Sequence, residues 1–328
     1  MNLYPLKFQP LIKSKIWGGT RLGTLYNKPL GKHRHAGESW ELSGLEGDRS
    51  IVVNGFLADN DIAELIEVYM GELVGEAVYE KYGTELPLLF KIIDANDNLS
   101  VQVHPDDDLA RELHDTNGKS EFWYVLHVEP GASIIAGLKN GVTREQLQAS
   151  IEQGTITEQL NSIPVNVGDV INIPAGLVHS LGKGVVVAEI QQASDITYRL
   201  YDYERVDKEG NKRELHIDNA LKAIDFDDKN SPCVQYERQI NGAVNIVRND
   251  YFTTNLITFD RVIQRDYAAL DSFVVYICAE GVCTLNSDDN VMTIKAGETV
   301  MLPATTTDIT LKPLVSQPVK MLETYVEI

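Results

Sequence analysis

Four side chains that could bind a metal ion lie within residues 102–179 of the chain. Gln102 and His104 alternate along residues 99–105, which read as a β-strand, so both side chains point to one face. Glu121 and His179 follow further along the sequence. One carboxamide, one carboxylate and two imidazoles form a suitable set of nitrogen and oxygen ligands for a divalent transition metal. The four residues together therefore predict a metal centre.

The other histidines are weaker candidates for metal binding. His33 and His35 form a His-x-His pair, but they lie in a Gly- and Lys-rich segment without strand alternation, so we expect a solvated surface loop. Three more have no partner at ligand spacing and are expected to be structural: His114, His127 and His216. Three further residues could line a pocket, or could equally belong to the core or the surface: Trp17, Glu41 and Lys91.

The charge of the chain limits its partners. Its 328 residues carry a formal net charge of −19, with 29 basic and 48 acidic side chains. Such a surface repels nucleic acids and anionic membranes, and no basic stripe offsets it. No apolar run is long enough to span a bilayer. The expected partner is therefore a small molecule, and any phosphate site must be made locally by a few Lys and Arg side chains.

The cysteines and the first residues indicate the cellular compartment. Cys233, Cys278 and Cys283 form no Cys-x-x-Cys pair, and their odd number leaves one unpaired. We therefore expect a reducing compartment, with the cysteines acting as small buried hydrophobic residues. The first seven residues lack the apolar core and cleavage site of a signal peptide. These features favour the cytoplasm.

Alternating apolar patterns and frequent turn residues predict a mainly β protein with two domains. Residues 1–240 form the predicted N-terminal domain, and residues 241–328 form a second domain of short strands. The first domain includes a helical segment at 58–83 and a helical insertion at 141–159, where Thr143 and Gln146 form the expected capping box. A charged connector is expected at 203–240.

An internal repeat supports this division. Residues 168–175 and 297–304 share Gly, an acidic residue, an apolar run, Pro and Ala at identical spacing. The shared spacing predicts two β units of one plan, with a helical insertion in the first. His179 of the first unit falls opposite Asp308 of the second, and no histidine follows His216. The second unit is therefore expected to carry no metal ligands and to act as a structural module.

These motifs resemble the two signatures of the cupin superfamily. Residues 168–179 match the second signature, Gly-x5-Pro-x-Gly-x2-His, and Gln102, His104 and Glu121 resemble the first, with Gln in place of one His. The combination is similar to the type I mannose-6-phosphate isomerase (phosphomannose isomerase) family in its short bacterial form. Three longer stretches resemble the same family: residues 15–19, 99–106 and 194–202.

The resemblance implies two cupin-type jelly-roll β-barrels or sandwiches with a small helical insertion, the first of them catalytic. It implies one Zn²⁺ ion per chain, with Gln102, His104, Glu121 and His179 as its ligands. The implied reaction interconverts mannose 6-phosphate and fructose 6-phosphate through a cis-enediol, with the metal polarising the substrate oxygens. We expect a monomer or a homodimer.

Three residues are candidates for catalysis: Arg199, Lys119 and Asp195. The family resemblance favours Arg199, whose guanidinium suits phosphate or enediolate oxygens. Lys119 lies two residues before Glu121 and would share its face on a strand, the alternative being a surface lysine. Asp195 precedes Arg199 by four residues, and a surface ion pair between them is the alternative. The base is left open among Lys119, Asp195 and a metal-bound water.

Two other functions are compatible with the motifs. One is a bicupin dioxygenase with Fe(II), although Gln102 argues against it because such sites usually present a His-rich facial set of ligands. The other is a non-catalytic, sugar-binding bicupin with a vestigial metal site. The complete set of four ligands argues against this second alternative, because a site without function has no need to keep all of them.

Overall fold

Strands dominate the chain, and the helices are few and short. The computed structural model describes residues 3–33, 35–207, 209–227, 230–287 and 290–328. The helices are α1 (Arg21–Tyr26), α2 (Ile62–Tyr69), α3 (Gly71–Val74), α4 (Glu76–Tyr82), α5 (Asp107–His114), α6 (Arg144–Glu152) and α7 (Ile217–Ala223), with 3₁₀ turns at Gly55–Leu57 and Ile156–Gln159. No helix in these ranges is long and apolar enough to cross a membrane.

The strands of the first half form a sandwich of two antiparallel sheets. They are β1 (Leu11–Gly19), β2 (Ala36–Leu42), β3 (Leu88–Ala95), β4 (Val101–Val103), β5 (Glu121–Val128), β6 (Ser133–Leu138), β7 (Leu160–Pro164), β8 (Val170–Ile173), β9 (His179–Ser180), β10 (Val185–Gln192), β11 (Tyr198–Tyr201) and β12 (Cys233–Val234). One sheet has the order β1-β2-β3-β10-β5-β8-β12 and the other the order β11-β4-β9-β6-β7. Buried apolar residues from both sheets, such as Trp123 and Ile134, form the core between them.

The strands of the second half form a smaller sandwich. They are β13 (Gly242–Arg248), β14 (Thr253–Phe259), β15 (Ile263–Asp266), β16 (Val274–Glu280), β17 (Val282–Ser287), β18 (Asn290–Lys295), β19 (Thr299–Leu302), β20 (Asp308–Pro313) and β21 (Val319–Tyr325). Its sheets have the orders β13-β14-β21-β16-β19 and β15-β20-β17-β18. The predicted fold class, mainly β with two sandwiches and few helices, is confirmed.

The two sandwiches pack back to back and share one hydrophobic core. The outer face of the seven-stranded sheet and the outer face of the sheet containing β21 contribute to the same cluster, together with α2, α3 and α4. The rings of Phe122 and Phe252 meet across this boundary with centroids 5.8 Å apart. The carboxylate of Asp271 accepts hydrogen bonds from the first amides of α4, at Glu76 (2.7 Å) and Ala77 (3.0 Å). The second unit therefore stabilises the helical segment of the first.

The repeat is visible in the strand pairing. On β10, Glu189 pairs with Lys91 of β3 and with Trp123 of β5. On β21, Glu323 pairs in the same way with residues of β14 and β16, namely Asn255 and Tyr276. The middle strands of the two large sheets therefore carry a glutamate at the same register position.

The predicted counterpart of His179 in the second unit does not face the core. Asp308, the expected counterpart of His179, is exposed at the start of β20, whereas the next residue, Ile309, is buried in the core of the second sandwich. The first residue of β20 that faces the core is therefore the apolar Ile309, because alternate residues of a strand face opposite sides. The glutamate position of the first unit, Glu121, is matched by Val274: each pairs with the last residue of the next strand of its sheet.

Local sequence signals explain where two of the helices begin. Thr143 Oγ1 accepts from the Gln146 amide, and Gln146 Oε1 accepts from the Thr143 amide, so the predicted capping box of α6 is confirmed. In the predicted helical segment at 58–83, the first α-helix begins at Ile62, with Asp61 as its N-cap. The predicted connector at 203–240 also contains β12, which pairs with β8 at the edge of the large sheet.

Candidate metal centre and active site

Three predicted metal ligands meet inside the first sandwich. Glu121 begins β5 in one sheet, His179 begins β9 in the other, and His104 follows β4 next to it. His104 Nε2 lies 3.5 Å from Glu121 Oε2, and His179 Nε2 lies 3.5 Å from Glu121 Oε1. All three residues are buried, and their ligand atoms lie within 4.8 Å of one another. This spacing allows one cation to contact all three.

Both imidazoles are held with the same ring nitrogen facing the centre. His104 Nδ1 lies 2.8 Å from the carbonyl oxygen of Ile196, and His179 Nδ1 lies 2.8 Å from that of Leu177. A carbonyl can only accept, so Nδ1 carries the hydrogen in each ring and Nε2 presents a lone pair to Glu121. Burial and the nearby Lys119 hold the pKa of His104 well below its ordinary value, and burial lowers the pKa of His179 to about 4. Neutral imidazoles oriented by a carbonyl are typical of metal sites.

The carboxylate of Glu121 lacks ordinary hydrogen-bond partners. Both of its oxygens are buried and accept no hydrogen bond of normal geometry from the described residues. The Lys119 ammonium lies 2.7 Å from Oε2, at an ion-pair distance. Burial and the charge of Glu189 raise the pKa of Glu121, against the lowering effect of Lys119. A buried carboxylate beside two unprotonated nitrogens is costly unless a cation shares it, so these residues fit a metal ion.

Gln102 and Lys119 complete this cluster. Gln102 pairs with His179 across β4 and β9, and its Nε2 lies 3.2 Å from His179 Nε2. Lys119 is only 4% exposed, with its Nζ 3.1 Å from His104 Nε2. The alternative of a surface lysine is therefore wrong. Gln102 and Lys119 therefore lie beside the cluster that His104, Glu121 and His179 form.

A cavity of about 310 Å³ opens beside the cluster. Six basic side chains contribute to its lining: Lys13, Lys15, Lys91, Lys119, Arg199 and Arg213. Of the three residues that the sequence suggested for a pocket, Trp17 and Lys91 line this cavity, whereas Glu41 does not. Glu41 is buried elsewhere, where it forms an ion pair with Lys28 at 2.5 Å. Four acidic side chains line it as well: Glu38, Asp48, Glu189 and Asp195. Basic side chains therefore outnumber acidic ones by two, and this local excess of positive charge in a protein of net charge −19 suits an anionic substrate.

Arg199 lies on β11 at one side of this cavity. It pairs with Gln102 on β4, and its Nε donates to Ser100 Oγ at 3.3 Å. Burial and the like charge of Arg213 lower the pKa of the Arg199 guanidinium. Asp195 lines the same cavity but is exposed, and the ion pairs within the described ranges do not include one between Asp195 and Arg199. Both side chains therefore face the cavity without neutralising each other.

Sequence reasoning missed Glu189. Its carboxylate accepts from Lys91 Nζ at 3.0 Å and from Trp123 Nε1 at 2.8 Å. Burial opposes its ionisation, but Lys91 and Lys119 outweigh burial and lower the pKa of Glu189. The signal lay in the strand at 185–192, where Glu189 and Gln191 interrupt an apolar run on one face. Buried polar residues at alternate positions indicate a site rather than a core.

The remaining histidines lie outside this centre, as expected. His33 Nδ1 is 2.7 Å from Ser14 Oγ in an exposed loop, and its neighbour Arg34 lies outside the described residues. Neither His33 nor His35 belongs to the metal-capable group found among the residues that the structure describes. His114 is exposed and contacts Tyr198.

Two models of known protein families match separate parts of the chain. Residues 5–121 match the family model for the catalytic domain of type I phosphomannose isomerase. Residues 243–315 match the model for the cupin domain of mannose-6-phosphate isomerase. A mannose-6-phosphate isomerase of Bacillus subtilis (strain 168) is 40% identical over 231 residues, which cover 69% of each chain. The chain belongs to the type I mannose-6-phosphate isomerase family.

Two further relatives of this mannose-6-phosphate isomerase family support the assignment. The mannose-6-phosphate isomerase of Streptococcus mutans is 40% identical over 220 residues, covering 67% of each chain. A crystal structure of the mannose 6-phosphate isomerase from Bacillus subtilis superposes with a TM-score of 0.87 and 30% identity, covering 99% of this chain and 100% of that one. The predicted family and the predicted cupin fold are confirmed.

Proposed function

We propose that this protein interconverts mannose 6-phosphate and fructose 6-phosphate, and that it does so with one zinc ion per chain. The observation that supports a metal-dependent reaction is the buried Glu121 carboxylate, which lacks ordinary hydrogen bonds and faces two Nε2 lone pairs. Zinc accepts mixed nitrogen and oxygen ligands and needs no redox role, which suits an isomerisation.

Gln102, His104, Glu121 and His179 would hold the ion. Gln102 would contribute its amide oxygen, which requires its amide group to turn over, because Nε2 faces His179 in this structure. Three neutral ligands and one carboxylate leave the site with net positive charge. When bound, the ion supplies Lewis-acid stabilisation of the negative charge that develops on the sugar oxygens. The Nδ1 hydrogen bonds to Ile196 and Leu177 keep both imidazoles in the tautomer that this role needs.

The cavity offers the sugar phosphate a cationic end and a reactive end. Its volume, about 310 Å³, suits a single small ligand. Arg199 and Arg213 both line it, and their planar guanidiniums suit the oxygens of a phosphate group or an enediolate. Lys119 lies at the metal cluster. We infer that the arginines bind the anionic oxygens, while C1 and C2 of the open-chain sugar lie beside Lys119.

Isomerisation moves a proton between C1 and C2, so a side chain must take and return it. We propose that Lys119 Nζ makes this transfer as the neutral amine, because an ammonium cannot accept a proton and Nζ is buried beside the ligand cluster. Asp195 is exposed, where water would compete for a transferred proton. We therefore do not assign the proton transfer to Asp195, which is an exposed residue of the cavity lining. We expect the protein to work in the cytoplasm, as a monomer or a homodimer.

A coupled assay of mannose 6-phosphate turnover tests the proposal. Wild-type protein loaded with zinc should be active, a chelator should abolish activity, and added zinc should restore it. The proposal fails if metal-loaded protein shows no turnover while His104→Ala and wild type bind metal equally. Oxygen uptake with Fe(II) and no sugar turnover would support a dioxygenase instead.

A further inference from the structure

One short segment holds both the backbone and the guanidinium of Arg199. The amide of His216 donates to the Arg199 carbonyl at 2.8 Å. The Arg199 amide in turn donates to His216 Nδ1 at 3.2 Å. Arg199 Nη1 donates to the carbonyl of Glu214 at 2.8 Å. The residues just before α7 therefore contact Arg199 at three points.

His216 supplies the hydrogen-bond partners that a neighbouring strand would otherwise give to the Arg199 backbone. Arg199 lies on β11, which is the edge of its five-stranded sheet among the described strands. Its N–H and C=O point away from β4 and need partners on the open edge, because unpaired backbone groups are costly. His216 supplies a donor from its backbone and an acceptor from its ring.

The ring chemistry of this contact is specific. An amide N–H can only donate, so His216 Nδ1 must be unprotonated and the ring hydrogen must be on Nε2. Alanine at this position would leave the Arg199 amide without its acceptor. A side chain with an acceptor at the Nδ1 position would keep the contact, and one with an acceptor only at the Nε2 position would not.

We propose that His216 is a positioning residue for Arg199, an inference that rests on the proposed isomerase function. His216 is not among the residues that line the cavity, so it would act through Arg199 and not on the substrate. Arg199 pairs directly with Gln102, a predicted metal ligand. Fixing the β11 backbone therefore sets the distance between the guanidinium and the metal cluster, and catalysis is sensitive to such distances.

Three substitutions at one position separate this role from a purely structural one. In Asn, Oδ1 lies where His has Nδ1, whereas Gln places its carbonyl group near the Nε2 position. We expect His216→Ala and His216→Gln to lower kcat about 10-fold with unchanged zinc content, and His216→Asn to stay within about 3-fold of wild type. Should the Ala variant fail to fold, the comparison of Asn with Gln decides alone.

His114 provides the matched control. It hydrogen-bonds the hydroxyl of Tyr198 at 2.8 Å, whereas His216 lies beside the Tyr198 ring, with centroids 6.4 Å apart. His114→Ala therefore perturbs the same cluster and leaves the three contacts to Arg199 intact. We expect kcat to be unchanged in this variant, whatever happens to its thermal stability.

A double-mutant cycle completes the test. In an Arg199→Ala background, His216→Ala should cause no further loss of kcat, because the residue it positions is gone. Additive losses, or equal kcat in the Ala, Asn and Gln variants of an active enzyme, would overturn the positioning role. An inactive zinc-loaded wild type would instead overturn the proposed function, and this inference with it.

Discussion

Glu189 in the first sandwich and Glu323 in the second lie at the same register position, but Glu189 lies beside a cavity and Glu323 lies against an arginine. Glu189 accepts from Lys91 and Trp123 beside the metal cluster and the cavity. The Glu323 carboxylate accepts from Arg265 Nε and Nη2, each at 2.9 Å, and also from Tyr276 and Asn255. Side-chain donors therefore enclose the Glu323 carboxylate, whereas Glu189 lines the cavity of the first unit.

The closed cluster around Glu323 should make stability sensitive to acid. Burial opposes ionisation of this carboxyl, but the hydrogen bonds and charge of Arg265 outweigh burial and lower the pKa of Glu323. The stabilisation is therefore fully present above the unfolded-state pKa of about 4.3 and is lost as pH falls through the lower folded-state pKa. Denaturant unfolding between neutral and acidic pH should show this loss.

Glu323→Gln should remove much of that acid dependence and destabilise the protein by about 2–4 kcal/mol at neutral pH, because Arg265 loses its charged partner. Glu327→Gln is the matched control: Glu327 pairs with Arg248 in an exposed ion pair, where little change in stability is expected. Equal effects of the two substitutions would contradict the assigned role of Glu323.

Removing a predicted metal ligand should abolish metal retention. Glu121→Ala or His179→Ala should weaken zinc binding by more than about 100-fold, since even residues outside the ligand set contribute 10–100-fold in metal sites. Elemental analysis of the purified variants measures the bound metal. His127→Ala, at the far end of β5 from Glu121, should retain zinc like wild type. Full zinc occupancy in Glu121→Ala would show that the ion binds elsewhere.

Arg199→Ala should separate catalysis from metal binding. We expect zinc content to stay unchanged while turnover falls by about 100-fold, because the guanidinium would stabilise charge on substrate oxygens and not on the metal. Arg199→Lys should restore little, since an ammonium cannot make the same planar pair of hydrogen bonds. Steady-state kinetics with parallel metal analysis measure both quantities. If Arg199→Ala lost its zinc, the placement of Arg199 at the substrate would be wrong.

Truncation near residue 240 should cause aggregation. It would remove side chains such as Leu256, Ile277 and Leu322, which share one core with Phe90 and Phe122 of the first sandwich. The exposed face would be large and apolar, which is typical of aggregation-prone surfaces. Size-exclusion chromatography with light scattering measures the outcome. A soluble, active truncated protein would show that the first sandwich needs no partner.

The sequence alone could predict the fold class, the family and the four candidate ligands. Strand alternation is local, so Gln102 and His104 could be placed on one face without knowing what lies opposite. The spacing of Gly, Pro and His in residues 168–179 indicated the strand and turn that carry His179. Capping residues such as Thr143 and Asp61 fixed where helices begin, because they act within a few residues.

Only the tertiary structure showed how distant strands combine. Glu189 and Lys91 are 98 residues apart and became a buried ion pair because β10 pairs with β3. His216 reaches Arg199 because β11 is an edge strand among the described strands, and the exposure of Asp308 next to the buried Ile309 depends on how β20 lies in its sheet. Side-chain periodicity is encoded locally, so it can be predicted from neighbouring residues. Strand register and the partners of edge strands depend on contacts between residues far apart in the chain, so local sequence patterns do not predict them.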